Sequence, residues 1–116
     1  MKNPSAIKSR YLQDTIPVRL GGLSANLSRI NSFSKQEANR EVVESLIEES
    51  KHFIEWTAAE MDVNRAEELI HLQVLLARWQ IDWESIWSNP VKRNQLGIEA
   101  GNWSKRVLEL SGLVKV

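Results

Sequence analysis

The sequence predicts an all-α fold, and three observations carry that prediction. Apolar residues recur at spacings of three and four in four separate blocks, the period of a helix with one buried face. No stretch alternates strictly as a half-buried strand does, and neither Asn-Gly nor Asp-Gly, the short hairpin dipeptides, occurs. Breakers are scarce, with three Pro and five Gly, so the blocks are long and their connections short. Short connections make successive helices antiparallel neighbours. The expected architecture is an up-down antiparallel bundle of four helices, or of three long helices with a shorter N-terminal one. Residues 1–15 form an arm or a short helical turn, and residues 16–116 form one bundle domain.

The first block runs from about Pro17 to Phe33, with Leu20, Leu23, Leu27 and Ile30 in one stripe. Gly21 and Gly22 weaken its first turn, each by about 1 kcal/mol relative to Ala. Upstream, Asn3-Pro4 can open a turn carrying Ile7, Tyr11 and Leu12. The second block starts at Ser34-Lys35-Gln36-Glu37, spaced as a capping box, with Phe33 set to staple on Ala38. Its stripe reads Val42/Val43, Leu46, Ser50, Phe53 and Thr57, and the helix ends near Met61.

Asn64 and Glu67 form a second capping pair at the head of the third block. Leu69, Leu72, Leu76, Trp79, Trp83 and Trp87 make one stripe of this helix. Ile70, Val74, Ala77 and Ile81 make another on a different side. Two apolar faces call for two neighbours, so this helix is expected at the centre. Ser88-Asn89-Pro90 breaks the chain and caps the fourth block, in which Leu96, Ala100, Trp103, Val107 and Leu110 follow at 4-3-4-3 spacing. Gly112 is its C-terminal stop.

Composition excludes several functions. Fifteen basic and fifteen acidic residues give zero net charge, against a general polyanion-coating role. Without cysteine there is no disulfide, thiol nucleophile or thiolate metal site. No apolar run reaches the roughly 18 residues of a membrane span, and no signal-peptide core follows the start; a cytoplasmic protein is expected. Charge is nevertheless uneven. Residues 1–35 are net +5, residues 36–70 net −7 and residues 71–116 net +2. The basic segment is expected to lie against the acidic second helix, within the fold or across a dimer. No Arg/Lys run or helix-turn-helix signature favours nucleic acid as a partner.

Two Glu-x-x-His motifs, Glu49/His52 and Glu68/His71, have the spacing used in di-metal bundles. The first block supplies no acid between Thr15 and Gln36, and both histidines project away from the apolar stripes. No metal site is expected. No phosphate-cradling loop or nucleophile–base pair stands out either, so no catalytic residue is assigned and no enzyme is expected. No cofactor is expected, since neither histidine faces the Trp79, Trp83 and Trp87 ladder to ligate a haem.

Five tryptophans are the unusual feature of the composition. Trp79, Trp83 and Trp87 should form an indole ladder that Trp103 can meet, with Gln73 and Gln80 as acceptors for the indole N–H groups. That set is either core or an aromatic pocket. Gly97, Gly101, Ser104 and Leu108 form a small-residue face on the fourth helix, suited to close helix approach within the chain or across a dimer.

Along Thr15-Ile16-Pro17-Val18-Arg19-Leu20-Gly21-Gly22-Leu23, and from Leu76-Ala77-Arg78-Trp79 through Trp103, the sequence resembles small all-helical cyanobacterial proteins of unknown function. The resemblance covers most of the chain after the first dozen residues. It implies a bacterial cytosolic setting and carries over no chemistry and no site residues. The function expected is contact with protein, self or heterologous, with the Gly97/Gly101/Ser104/Leu108 face foremost and the charged N-terminal arm second. The alternative is a small-molecule-binding bundle with a cavity by Trp79, Trp83, Trp103, Gln73 and Gln80.

Overall fold

The computed structural model describes residues 4–113; the outermost residues of the predicted arm and bundle, 1–3 and 114–116, lie outside them. Six α-helices and one 3₁₀ turn follow in order, with no strand among the described residues. They are α1 (Pro4–Gln13), α2 (Ile16–Phe33), the 3₁₀ turn (Glu37–Asn39), α3 (Arg40–Ala58), α4 (Val63–Ile81), α5 (Trp83–Trp87) and α6 (Pro90–Ser111). The long helices α2, α3, α4 and α6 make the bundle. α2 packs against both α6 and α3, α4 packs on α3, and α4 and α6 close the ring more loosely. The short α1 lies on α3 and α5 lies on α6.

Local signals explain most boundaries. Pro17 sits in the first turn of α2 and Pro90 in that of α6, where a missing N–H costs nothing. The Asn89 side chain accepts from the amides of Val91 and Lys92, and Gly112 stops α6 at φ +74°, a left-handed conformation suited to glycine. Two expected caps are not made. Ser34 turns its hydroxyl back to the Asn31 carbonyl (3.1 Å), and α3 begins only at Arg40 after the 3₁₀ turn. Asp62, not Asn64, caps α4, accepting from the Arg65 amide at 3.1 Å.

The core gathers Leu20, Leu23, Leu27 and Ile30 of α2 with Leu69, Leu72 and Leu76 of α4 and Leu96, Ala100, Val107 and Leu110 of α6. α3 contributes Val43, Ile47, Phe53 and Ile54, with Ser50 and Thr57 also buried. The α3 stripe is thus turned slightly from the expected one. Val42 is exposed and Leu46 only half-buried, while Ile47 and Ile54 face inward. The expectation that α4 is central fails, because Ile70, Val74 and Ile81 of its second stripe are left exposed. α2 takes the middle place instead.

The N-terminal segment is a docked helix of ten residues. Tyr11 stacks on Phe53 with ring centroids 4.1 Å apart and donates its hydroxyl to the Arg19 carbonyl at 2.8 Å. Arg19 is itself buried. Its guanidinium pairs with Glu60 at 2.7 Å and donates to the carbonyls of Asp14 and Leu12 at 3.0 and 3.2 Å. This ties α1, α2 and the end of α3 together, and places one base of the N-terminal segment on an acid following α3.

Burial pushes the Tyr11 hydroxyl up from 10.0 to about 12, against the opposing pull of the Thr57 hydrogen bond and the Arg19 charge. The folded chain therefore holds this proton more tightly than the unfolded chain. The associated stability is complete below about pH 10 and is lost as pH rises through about 12, a loss of roughly 2–3 kcal/mol. Urea midpoints should fall over that interval in the wild-type chain, and the fall should be much reduced in Tyr11→Phe.

Candidate interaction face

The small-residue face of α6 is used inside the chain. A Cβ on Gly97 would collide with the Ser34 hydroxyl, and one on Gly101 would sit 2.9 Å from the Asn31 side-chain nitrogen. Ser24 and Ser104 donate their hydroxyls to each other's carbonyls, both at 2.8 Å. Glycine and serine let α2 and α6 approach closely enough for these contacts. Of the two uses expected for this face, packing within the chain accounts for Gly97, Gly101 and Ser104, while Leu108 is half-buried beside them.

The aromatic set is divided. α4 stops at Ile81 because Asp82 takes φ −95°, ψ 15°, outside helical values, and α5 then carries Trp83 and Trp87. Those two rings stack at 5.0 Å, and the Trp87 N–H donates to the Glu37 carbonyl at 2.9 Å. The glutamines do not serve as indole acceptors, because α3 claims them. Gln80 accepts from Lys51 (2.6 Å) and donates to Glu48 (2.7 Å), while Gln73 donates to the Lys51 carbonyl at 3.5 Å. Trp83 Nε1 is buried with no hydrogen-bond partner among the described residues.

Trp79 is core, whereas Trp103 is half-buried beside Asn102 and Arg106 in a separate shallow depression. What remains of the expected pocket is an open groove of about 350 Å³ lined by Trp83, Gln80, Glu44, Ser45, Ile47 and Glu48. The Gln80 amide holds the Glu48 carboxyl below its ordinary range, helped by the nearby His52 and Lys51.

The Glu-x-x-His residues are held apart. His52 bonds Glu48 at 3.1 Å and stacks on Trp56, while Glu49 accepts from Asn26 at 3.1 Å. Glu68 makes a bidentate pair with Arg106, both contacts 2.8 Å. Among the described residues no three His, Asp or Glu side chains come together as a metal site.

The second stripe of α4 is the feature left without a covering helix among the described residues. Ile70 and Val74 are 45% and 50% exposed, and Val63 and Ile81 are 79% and 82% exposed. With half-buried Ala77 they recur at 7-4-3-4 spacing, the seam pattern of a helix that packs on another helix. At about 100° per residue they fall in a sector some 60° wide, and the strip is roughly 27 Å long. Beside it, between α3 and α4, lies a groove of about 370 Å³ lined by Glu55, Ala58, Ala59, Ala66, Ile70 and Gln73. The alanines leave this flank shallow and open. Sequence reasoning had four of the five seam residues and assigned them to a core; it missed Val63, although the seven-residue step to Ile70 was there to find.

No helix among the described residues is long and apolar enough to cross a membrane. Set against protein-family models, curated proteins and solved structures, the chain matches none.

Proposed function

We propose that this chain is a non-enzymatic cytosolic helical bundle that works through protein contacts, and that α4 carries the contact surface. The observation supporting this is the exposed seam Val63, Ile70, Val74, Ala77 and Ile81. An isolated exposed leucine or valine needs no explanation, but five apolar residues aligned over five turns of one helix form a continuous strip. Burying it against a second helix recovers the hydrophobic free energy that the fold leaves unused. The Gly97/Gly101 face is committed to α2, so the seam takes over the role first assigned to that face.

Native mass spectrometry of the protein isolated gently from its own host tests this reading. The wild-type chain is expected in a complex, either with itself or with another protein. Val74→Glu, which places a charge mid-seam at a half-exposed position, should fold normally by circular dichroism and be recovered bare. Equal recovery of complexes by both proteins would rule the seam out as the contact surface.

A second reading, a ligand-binding bundle, is favoured by the groove at Trp83, Gln80, Glu44 and Glu48. An indole beside two carboxylates suits a planar cation.

A further inference from the structure

Resting on the reading of the α4 seam as a contact surface, we infer that its occupant is the same seam of a second copy of this chain, packed antiparallel about a two-fold axis at the level of Leu72. The four large residues of the seam, Val63, Ile70, Val74 and Ile81, are symmetric in residue number about position 72. An antiparallel pairing centred on position 72 sets Val63 against the second copy's Ile81, and Ile70 against its Val74. Glu67 then lies level with Ala77 of the second copy. Every large apolar residue of the seam therefore meets another, which is what an isologous interface requires of a single surface.

Charge selects the same register. Glu67 and Arg78 lie about 40° and 60° to one side of the seam at 100° per residue. Both are exposed, and neither makes an ion pair within the chain among the described residues. A two-fold axis perpendicular to antiparallel helices brings like flanks together. Glu67 then sits beside Arg78 of the second copy, about one residue apart in height, and the pair occurs twice. The other flank carries Ala66 and Gln73 of α4, and the Glu55 carboxylate of α3 borders it across the groove. A parallel pairing would face the charged flank with this one, which offers Glu67 the like charge of Glu55 and gives neither Glu67 nor Arg78 an opposite charge on α4. The shallow strip formed by Ala58, Ala59 and Ala66 leaves room on this flank for the second copy.

A single-helix seam is small for a dimer interface, so reversible dimerisation with a Kd of micromolar order is expected rather than a permanent dimer. Sedimentation velocity of the purified full chain over a concentration series, in low salt, reads this directly. Glu67→Arg and Arg78→Glu should each weaken the dimer by roughly 3–30-fold, since two exposed pairs are lost and like charges face each other. The double variant Glu67→Arg/Arg78→Glu restores both pairs with reversed sign and should recover wild-type affinity to within about threefold. Both positions are exposed, and unchanged urea midpoints verify that the variants fold.

A dimer indifferent to the single variants, or one not rescued by the double variant, would overturn the antiparallel register. A wild-type chain that stays monomeric up to about millimolar concentration would overturn self-pairing altogether. The broader reading survives either result if Val74→Glu still releases a different protein from the native complex. It falls with self-pairing only if no complex depends on Val74.

Discussion

Replacing Trp87 with alanine should destabilise the fold by about 3–5 kcal/mol, the range for deleting a fully buried aromatic side chain. Trp87 is 2% exposed and joins three elements. Its ring stacks on Trp83 within α5, its N–H reaches the Glu37 carbonyl of the 3₁₀ turn, and the Arg93 guanidinium of α6 lies 5.5 Å from the ring centroid. Arg93 also donates to the Trp87 carbonyl at 2.7 Å. The substitution therefore opens a cavity and removes the hydrogen bond to the Glu37 carbonyl at the same time. For a domain of this size a drop in Tm of order 10–20 °C follows. Urea denaturation monitored by circular dichroism measures the loss, and a value under about 1 kcal/mol would mean that α5 is not anchored as described.

The second large effect is expected at the α2–α6 contact. Gly97→Leu should cost about 3 kcal/mol, because the side chain has no space and the two helices must separate. Its smaller relative separates space from propensity. Gly97→Ala gains about 1 kcal/mol of helix propensity but meets the Ser34 hydroxyl, so little net change is expected. In a Ser34→Ala background that obstruction is gone, and Gly97→Ala should then stabilise by up to about 1 kcal/mol. The coupling between the two positions, read from a double-mutant cycle, is the signature of helix contact within the chain. Additive behaviour would argue that α6 turns its glycines elsewhere.

How much of this was legible in the sequence depended on whether a signal was local. The stripe Leu20, Leu23, Leu27 and Ile30 is wholly buried, because an amphipathic period requires only some partner and not a particular one. Asn89, Pro90 and Gly112 act through their own backbone neighbours and stand where expected. Ser34 and Glu37 had the spacing of a capping box, but the Ser34 hydroxyl is turned to its own helix beside Gly97, 63 positions along the chain. A spacing rule cannot register such a contact. The ladder broke at Asp82, one residue with non-helical angles and neither proline nor glycine to announce it.

The proposed contact surface was harder to read for a related reason. Periodicity found Ile70, Val74, Ala77 and Ile81 but could not say what covered them. An apolar stripe buried by a neighbouring helix and one awaiting a partner have the same pattern. Only the burial of Leu69, Leu72 and Leu76 on the opposite face of α4, with Ile70, Val74 and Ile81 exposed, shows that this stripe is left over. The same ambiguity acted in reverse on Gly97 and Gly101, where close approach was foreseen and the approaching helix was α2.

The proposed function requires that the outer face of α4 engage another protein surface. Methyl-resolved NMR of the full chain, recorded on dilution and on addition of extract from its own host, tests this most directly. The internal controls are Val18, Val91 and Ile98, which are 47%, 78% and 47% exposed and lie off α4. The expected result is that the methyl signals of Val63, Ile70, Val74 and Ile81 shift or broaden in at least one series while the controls hold still. Seam methyls that remain unchanged in both series would contradict it.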